Sequence, residues 1–291
     1  MNNVSCIFCK SKDIIPAVFP QPTHFNGKEF TYKNCRACGL IFIDPIPNEQ
    51  DLQAMYPIGY HEAFYFHETP ADYGFLYNKL KPVLQNGTLL DYGCGDGSFL
   101  QYMSGKGFKS IGTEYNPVLV TKLREQYPDS EFNTIDDFWK NTQQQYDVIH
   151  LGDVLEHITT PLDLLTRLKA RLKPGGILLV HGPLENNTSL GLTVRKGLSR
   201  IMSAVSKRKI THTPYHIIFS ARANQKAVFE HTGYASLVYD IYETPWPYPS
   251  SWSWKPGMAI KYLIGQVSVG TSKLSGNKLG NRFVYIGQKA A

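Results

Sequence analysis

The sequence predicts an α/β fold, a doubly wound parallel sheet preceded by a small cysteine-rich module, and three observations carry that prediction. The run Leu89-Leu90-Asp91-Tyr92-Gly93-Cys94-Gly95-Asp96-Gly97-Ser98-Phe99-Leu100 packs a strand end, a glycine turn and a helix start together. Strand-like and helical segments then alternate, which argues for right-handed crossovers and for ligands at the carboxyl ends of the strands. Ahead of them stand two Cys-x-x-Cys turns, Cys6-Ile7-Phe8-Cys9 and Cys35-Arg36-Ala37-Cys38.

Taken in order, the first element is the cysteine module, placed at 1–47. Paired turns of this kind set four thiolates tetrahedrally, which suits Zn²⁺ at Zn–S distances of about 2.3 Å. Disulfides are a poor alternative in a reducing compartment, and a redox dithiol needs no second pair. Four protein ligands, Cys6, Cys9, Cys35 and Cys38, close the site, so the metal is expected to be structural and its binding energy to be folding energy. The fifth thiol, Cys94, reads as a small buried hydrophobe. Residues 48–85 form a Tyr-rich helical arm; between Met55 and Tyr77, Phe64, Phe66, Phe75, His61 and His67 sit among the tyrosines. It either packs the module onto the sheet or lines a pocket, with Tyr60 or Tyr73 reaching the ligand.

The catalytic domain is placed at 86–291. Glycines at 93, 95 and 97 let the backbone turn sharply and approach a ligand. Ser98 stands where a dinucleotide fingerprint would carry its third glycine, so NAD and FAD are disfavoured. A second strand, Lys109 to Thr113, ends in Glu114, positioned to accept from ribose hydroxyls unless it is an exposed loop acid. Glu131 to Ile135 runs into Asp136-Asp137, and Tyr146 to Leu151 reads as a buried strand followed by Gly152-Asp153-Val154-Leu155-Glu156-His157-Ile158. Leu162, Leu164, Leu165, Leu168 and Leu172 recur at helical spacing until Lys173-Pro174-Gly175-Gly176 stops them before the strand Ile177 to Val180. Ser220 is expected to cap a helix from Ala221 to His231 that Gly233 ends, before a strand Ser236 to Tyr242. Gly265 to Gly280 is rich in Gly and Ser, and Arg282 to Gly287 supplies a last, antiparallel edge strand.

These strings resemble the motifs of the class I S-adenosylmethionine-dependent methyltransferases, whose first motif reads Asp/Glu-x-Gly-x-Gly-x-Gly on a Rossmann-like sheet. The resemblance implies that Asp91, Gly93, Gly95 and Gly97 hold the methionine end of S-adenosylmethionine. It places Glu114 at the ribose, Asp136 near the adenine amino group and Asp153, in the fourth motif, beside the cofactor; Tyr73, from the aromatic arm, is a further candidate for the cofactor. The N-terminus narrows it. Cys35-Arg36-Ala37-Cys38-Gly39-Leu40-Ile41-Phe42-Ile43-Asp44-Pro45-Ile46-Pro47, followed by Tyr56, Tyr60, Tyr65, Tyr73 and Tyr77, is similar to zinc-binding methyltransferases of bacterial sugar and surface-polysaccharide pathways, over about residues 1–240. Sugar C-methyltransferases of that group keep catalytic residues in a long C-terminal extension, and those are not carried over.

Transfer to an oxygen acceptor calls for a general base, and histidine is the obvious supplier. The candidates are His157, His181 and His216; His157 also lies in a Leu-Glu-His-Ile string where the histidine is often structural. Asp153, Glu156 and His157 match the divalent-metal group of ubiquinone-type O-methyltransferases, and on one helix face they would hold Mg²⁺. Capping by Asp153 and a solvated Glu156 explain the same letters. A basic helical insertion at about 184–213 carries Arg195, Lys196, Arg200, Lys207, Arg208 and Lys209 opposite Leu190, Val194, Leu198, Ile201 and Val205. It reads as a lid, as a clamp for an anionic group, or as a peripheral membrane contact through 190–210. The loop at 244–257 holds Trp246, Trp252, Trp254 and Tyr248 among prolines, either stacking on a ligand or latching over the core.

The sequence carries a net charge of +6, mild for a protein held mainly by phosphates. With no apolar run of about 18 residues and no basic-then-apolar start, neither a spanning helix nor a signal peptide is expected, and the expected location is cytoplasmic. The expected activity is methyl transfer from S-adenosylmethionine to a small or carrier-linked molecule, anionic in one reading, with a sugar intermediate first. A quinone or lipid O-methyltransferase, an RNA methyltransferase and a cofactor-binding regulatory protein are the alternatives. Nucleic acid is disfavoured, because the bases are confined mainly to one segment and no Asn/Asp-Pro-Pro-Tyr-like string follows the fourth strand.

Overall fold

A computed structural model describes residues 4–57, 73–140, 144–205, 212–276 and 278–290. The N-terminal segment folds into β1 (Ile14–Pro16), β2 (Thr23–Phe25), β3 (Lys28–Cys35) and β4 (Ile41–Asp44), all pairing antiparallel with β3 or through it. Strand β3 alternates, burying Phe30 and Tyr32 while Glu29 faces solvent, as a strand covered on one face must. Helix α1 (Glu49–Met55) starts at a reciprocal capping box, with Asn48 Oδ1 accepting from Asp51 N and Asp51 Oδ2 from Asn48 N. Helix α2 (Gly74–Leu80) buries Leu76 and Leu80.

From Gly87 the chain alternates: β5 (Gly87–Tyr92), α3 (Ser98–Ser104), β6 (Phe108–Glu114), α4 (Pro117–Gln126), β7 (Glu131–Thr134), α5 (Ile135–Lys140) and β8 (Tyr146–Gly152). A single 3₁₀ turn, Leu155–His157, leads to α6 (Pro161–Ala170) and β9 (Leu172–Pro183), so β9 begins five residues earlier than the apolar run suggests. Then come α7 (Leu190–Val205), β10 (Ile218–Phe219), α8 (Arg222–His231), β11 (Ala235–Tyr242), α9 (Pro256–Leu274) and β12 (Arg282–Gln288). The central sheet has the order β11-β12-β9-β8-β5-β6-β7. β5 to β9 are parallel, and β12 runs antiparallel to both of its neighbours. Leu89, Leu90, Val148, Ile149, Leu178 and Leu179 are fully buried, as expected of strands covered on both faces. The order reverses between β5 and β8, and the crevice at such a switch point is where ligands bind.

Two expectations are corrected here. Strand β12 lies inside the sheet and β11 forms the edge, because Phe283, Val284, Tyr285 and Ile286 are all buried, and a strand apolar on both faces needs a neighbour on each side. Ser220 does not cap α8. Asn224 Oδ1 reaches back to accept from Ala221 N, while Ser220 is buried and its carbonyl accepts from Asn186 N. Gly233, at φ +74°, ends the helix as expected.

β10 does not join the central sheet. It pairs with β4 and completes the N-terminal sheet, so that one apolar core runs from Phe30 and Ile43 through Ile217 to Tyr234. Two amides fasten the second cysteine turn: Asn224 Nδ2 donates to the Cys38 carbonyl at 3.1 Å and Asn186 Nδ2 to the Gly39 carbonyl at 2.9 Å. Among the described residues no helix is long and apolar enough to cross a membrane.

Candidate active site

At the carboxyl ends of β5, β6 and β8 lies a cleft of about 250 Å³, bordered by Tyr56, Gly93, Glu114, Tyr115, Asp153 and His157. The glycine loop enters it through Gly93. Gly93, Gly95 and Gly97 have φ of +78°, +53° and +76°, and a Cβ on Gly93 would stand 2.8 Å from a Val154 methyl. Glu114 is buried, which raises its carboxyl pKa; the N–H groups of Gly95, Tyr115 and Asn116 oppose that by donating to it at 3.1, 2.7 and 3.3 Å. Asp137 accepts from Thr134 Oγ1 and Lys140, while Asp136 is exposed next to Ile135, which borders the cleft. Burial, and then nearby carboxylates including Asp136, push the Tyr92 and Tyr115 phenols upward. Tyr73 packs edge-on against Phe99 at 5.2 Å, and burial with the charges of Asp96, Asp91 and Asp153 raises its phenol, which places it beside the same loop. Tyr60, Tyr65, Phe64, Phe66, His61 and His67 lie outside the described residues.

Beneath the loop, Asp91 Oδ1 is 2.7 Å from His150 Nδ1, the residue opposite it across β5 and β8. The imidazole is sandwiched between Phe99, at 3.8 Å between centroids, and His181, at 5.1 Å. His150 Nε2 is buried with no hydrogen-bond partner among the described residues. Sequence reasoning missed His150. Its signal was one histidine in the apolar run from Val148 to Leu151, but only strand register shows that it meets Asp91.

A second cleft, of about 500 Å³, adjoins the first and shares Asp153 and His157 with it. The N-terminal module contributes Phe19 and Tyr32, and α7 and the following loops contribute Arg195, Trp246, Tyr215 and His216. His157 stands at the junction. Its Nδ1 is 2.8 Å from the Tyr215 carbonyl, which can only accept, so Nδ1 carries the hydrogen and Nε2 keeps its lone pair; the Tyr56 hydroxyl is 2.9 Å from the same Nδ1. Burial, and then the His216 charge, hold the imidazole at a pKa of about 4. His216 is the opposite case: burial disfavours its cation, but the hydrogen-bonded Glu185 carboxylate outweighs this and lifts it to about 9. Burial and then Asp153 raise Glu156 to about 8, so this acid is largely protonated at neutral pH, not solvated. Arg195 stands 3.9 Å from Glu185, with its guanidinium 4.9 Å from the Trp246 ring centroid.

Asp153 is not a helix cap. It has φ of +53° and both carboxylate oxygens accept from Arg282 Nη2, at 2.6 and 2.7 Å. The expected Asp153, Glu156 and His157 face therefore does not form, because only one 3₁₀ turn follows the left-handed Asp153. The residues brought together are Glu156, His157 and His216, with one ligand atom each within 4.8 Å of the others. Two imidazoles and a carboxyl, one imidazole being a cation, do not fit Mg²⁺, which takes oxygen ligands. His181 lines neither cleft; it is 3.4 Å from Arg282 and 3.8 Å from Asp153, and burial keeps it neutral with a pKa of about 3.

The four cysteines converge. Cys6 and Cys38 sulfurs are 3.6 Å apart, Cys9 and Cys35 sulfurs 3.5 Å, and all four lie within 4.8 Å of one another. A tetrahedron with Zn–S of about 2.3 Å has edges of about 3.8 Å, so the donor set fits that ion. Cys94 is buried and burial raises its thiol, as for a core residue. Of the basic insertion, Lys207, Arg208 and Lys209 lie outside the described residues.

A family model described as a methyltransferase domain matches residues 65–234. A ubiquinone biosynthesis O-methyltransferase of Cereibacter sphaeroides is 28% identical over 193 residues, 62% of this chain and 72% of that protein. A trans-aconitate 2-methyltransferase of Variovorax paradoxus is 28% identical over 105 residues, 35% of this chain and 40% of that protein. A solved S-adenosylmethionine-dependent methyltransferase from Archaeoglobus fulgidus superposes with a TM-score of 0.45 at 17% identity, covering 75% of this chain and 95% of that one. With its sheet order, its glycine loop at the switch point and more than half of its length matched, the chain belongs to the methyltransferase-domain family and is an S-adenosylmethionine-dependent methyltransferase.

Proposed function

We propose that the protein methylates a hydroxyl of a small anionic acceptor, a sugar intermediate in the leading reading, with His157 as general base. The observation that carries this is His157 at the junction of the two clefts, its Nδ1 committed to a carbonyl, which leaves the lone pair on Nε2, 3.9 Å from Glu156 Oε1. In this reading the smaller cleft takes S-adenosylmethionine, with Asp91 and the glycine loop toward its methionine end, Tyr73 and Asp153 alongside, Glu114 toward the ribose and Asp136 toward the adenine. The sulfonium makes the methyl electrophilic without a metal, and its transfer leaves a neutral thioether. The acceptor hydroxyl loses its proton to His157 Nε2 as the new O–C bond forms. A base of pKa about 4 lies below the ideal near the operating pH, but it is unprotonated there and able to accept. His216 and Arg195 supply positive charge for an anionic group, and Tyr32, Phe19 and Trp246 supply faces for a ring. The four thiolates would hold a structural Zn²⁺, fixing the module that brings Phe19 and Tyr32.

A phenolic acceptor is the second reading, favoured by the relatives named as ubiquinone biosynthesis O-methyltransferases and by the aromatic lining. Incubating the protein with methyl-labelled S-adenosylmethionine and separated nucleotide-sugar, quinone-lipid and RNA fractions distinguishes them. Label in the nucleotide-sugar fraction, lost in His157→Gln, is the expected result. Label in the quinone fraction alone would replace the sugar by the phenol, and label in RNA alone would overturn both.

A further inference from the structure

The helix α9 is packed the wrong way round for a helix of a free globular surface. It turns Gly265, Ser268 and Ser272 to the protein body and leaves Ile260, Leu263, Val267 and Leu274 exposed. At 100° per residue those four aliphatic side chains form one stripe opposite the buried small residues. The stripe continues at the helix start into aromatic rings: Trp252 packs edge-on against Trp254 at 5.8 Å and Tyr262 at 5.7 Å, and Trp254 is 89% exposed. The expected latch over the core is therefore not what this loop makes. Helix α7 is tied alongside, with Gly191 N donating to Ser268 Oγ at 2.8 Å and Tyr248 donating to the Gly191 carbonyl at 2.8 Å, and it too exposes Leu198 and Ile201.

Charge singles out the occupant. Helix α7 and the stretch from Thr244 to Leu274 carry six bases, Arg195, Lys196, Arg200, Lys255, Lys261 and Lys273, and no Asp or Glu, against a net charge of +6 for the whole sequence. Exposed Lys255 and Lys273 lie to one side of the α9 stripe, about 110° from its centre, and exposed Arg200 lies on the face of α7 away from Leu198 and Ile201. A second copy of the chain would bring the same positive charge against this face. An anionic bilayer brings the opposite charge and, beneath it, an apolar layer for the stripe, with tryptophans suited to the boundary between them. We propose that the α7–α9 face, with Trp252 and Trp254, docks on the surface of an anionic lipid bilayer. Arg195 and Trp246, which line the larger cleft, lie on α7 and on the loop leading to α9, so docking would bring that cleft close to the lipid surface.

Sedimentation of the full chain with phosphatidylcholine vesicles, with and without phosphatidylglycerol, tests this. The expected result is binding to the anionic vesicles at low salt, at least about tenfold weaker on neutral vesicles and falling as salt rises. Ile260→Asp with Leu263→Asp should lower that binding at least about tenfold while leaving affinity for S-adenosylmethionine unchanged, which shows the variant is folded. Tryptophan fluorescence should shift to the blue on anionic vesicles, and the shift should be lost when Trp252 and Trp254 are both replaced by Phe. No sedimentation with anionic vesicles at low salt overturns the proposal. So does a concentration-dependent dimer by light scattering that the two aspartates convert to monomer without changing vesicle binding.

Discussion

His157 and His216 are two imidazoles whose ring centroids lie 4.9 Å apart, yet they hold opposite protonation states. The difference is the partner. Glu185 gives His216 a buried anion, whereas His157 finds a carbonyl and a phenol and has a neighbouring cation besides. A base must be unprotonated and an anion anchor protonated, so the pair divides these roles. In kcat/KM, which reports groups of the free enzyme, activity should rise through about pH 4 as His157 loses its proton and decline near 9 as His216 does. An acid limb at the ordinary 6.5 of imidazole would count against His157 as the base. His157→Gln should lower kcat by roughly 10²–10⁴-fold with little change in affinity for S-adenosylmethionine.

Among the elements, the two-residue strand β10 has the widest consequences. It joins the cysteine module to the catalytic half through β4, and the amides of Asn186 and Asn224 hold the second cysteine turn from the catalytic side. The module thereby becomes a wall of the larger cleft, through Phe19 and Tyr32, but not of the smaller one. Removing the metal with a chelator, or replacing Cys35 by Ser, should raise the acceptor KM by about tenfold or more, about 1.4 kcal/mol, before affinity for S-adenosylmethionine changes. Calorimetric titration of the cofactor beside acceptor kinetics reads this. Equal losses of both would mean that the module supports the whole fold and not the acceptor cleft in particular.

For the whole molecule, the buried titratable groups set an optimum of stability. His157 and His181 have folded pKa values of about 4 and 3, below the unfolded 6.5, so the unfolded chain binds more protons in acid and stability falls as pH drops below 6.5. Glu156 opposes this: its folded value of about 8 keeps one extra proton on the native state from about 4.5 upward, but one carboxyl does not cancel two imidazoles. Above 6.5 the signs reverse. Glu156 and His216, raised to about 8 and 9, hold protons that the unfolded chain has lost, so their stabilisation disappears as pH climbs through those values. The joint contribution of these four groups should therefore peak near 6.5, with a slope of about 1.4 kcal/mol per pH unit for each proton of difference; the cysteine thiolates add a rise of stability with pH, so the Glu156 part is read as the difference in urea midpoint between the wild type and Glu156→Gln from pH 5 to 9. A wild-type advantage over Glu156→Gln that does not shrink as pH rises from 5 to 8 would contradict the assigned state of Glu156.

The sequence by itself determined the parallel sheet, the glycine loop, the acid at the end of β6 and the two cysteine turns, because each is written in neighbouring residues: periodicity, turn chemistry and short spacing. It could not show that β12 lies inside the sheet, that His150 meets Asp91, or that Arg282 takes Asp153, since each depends on strands far apart in sequence lying side by side. The protonation states of His157, His216 and Glu156 are of the same kind, set by burial and by charges from other elements. Helix α9 was missed, its span being read as rich in Gly and Ser, and the direction of its stripe is tertiary in any case, because a helical period states that one face is apolar and not which way that face turns. Local order follows from local residues; sites and surfaces are made of residues that only the tertiary fold brings together.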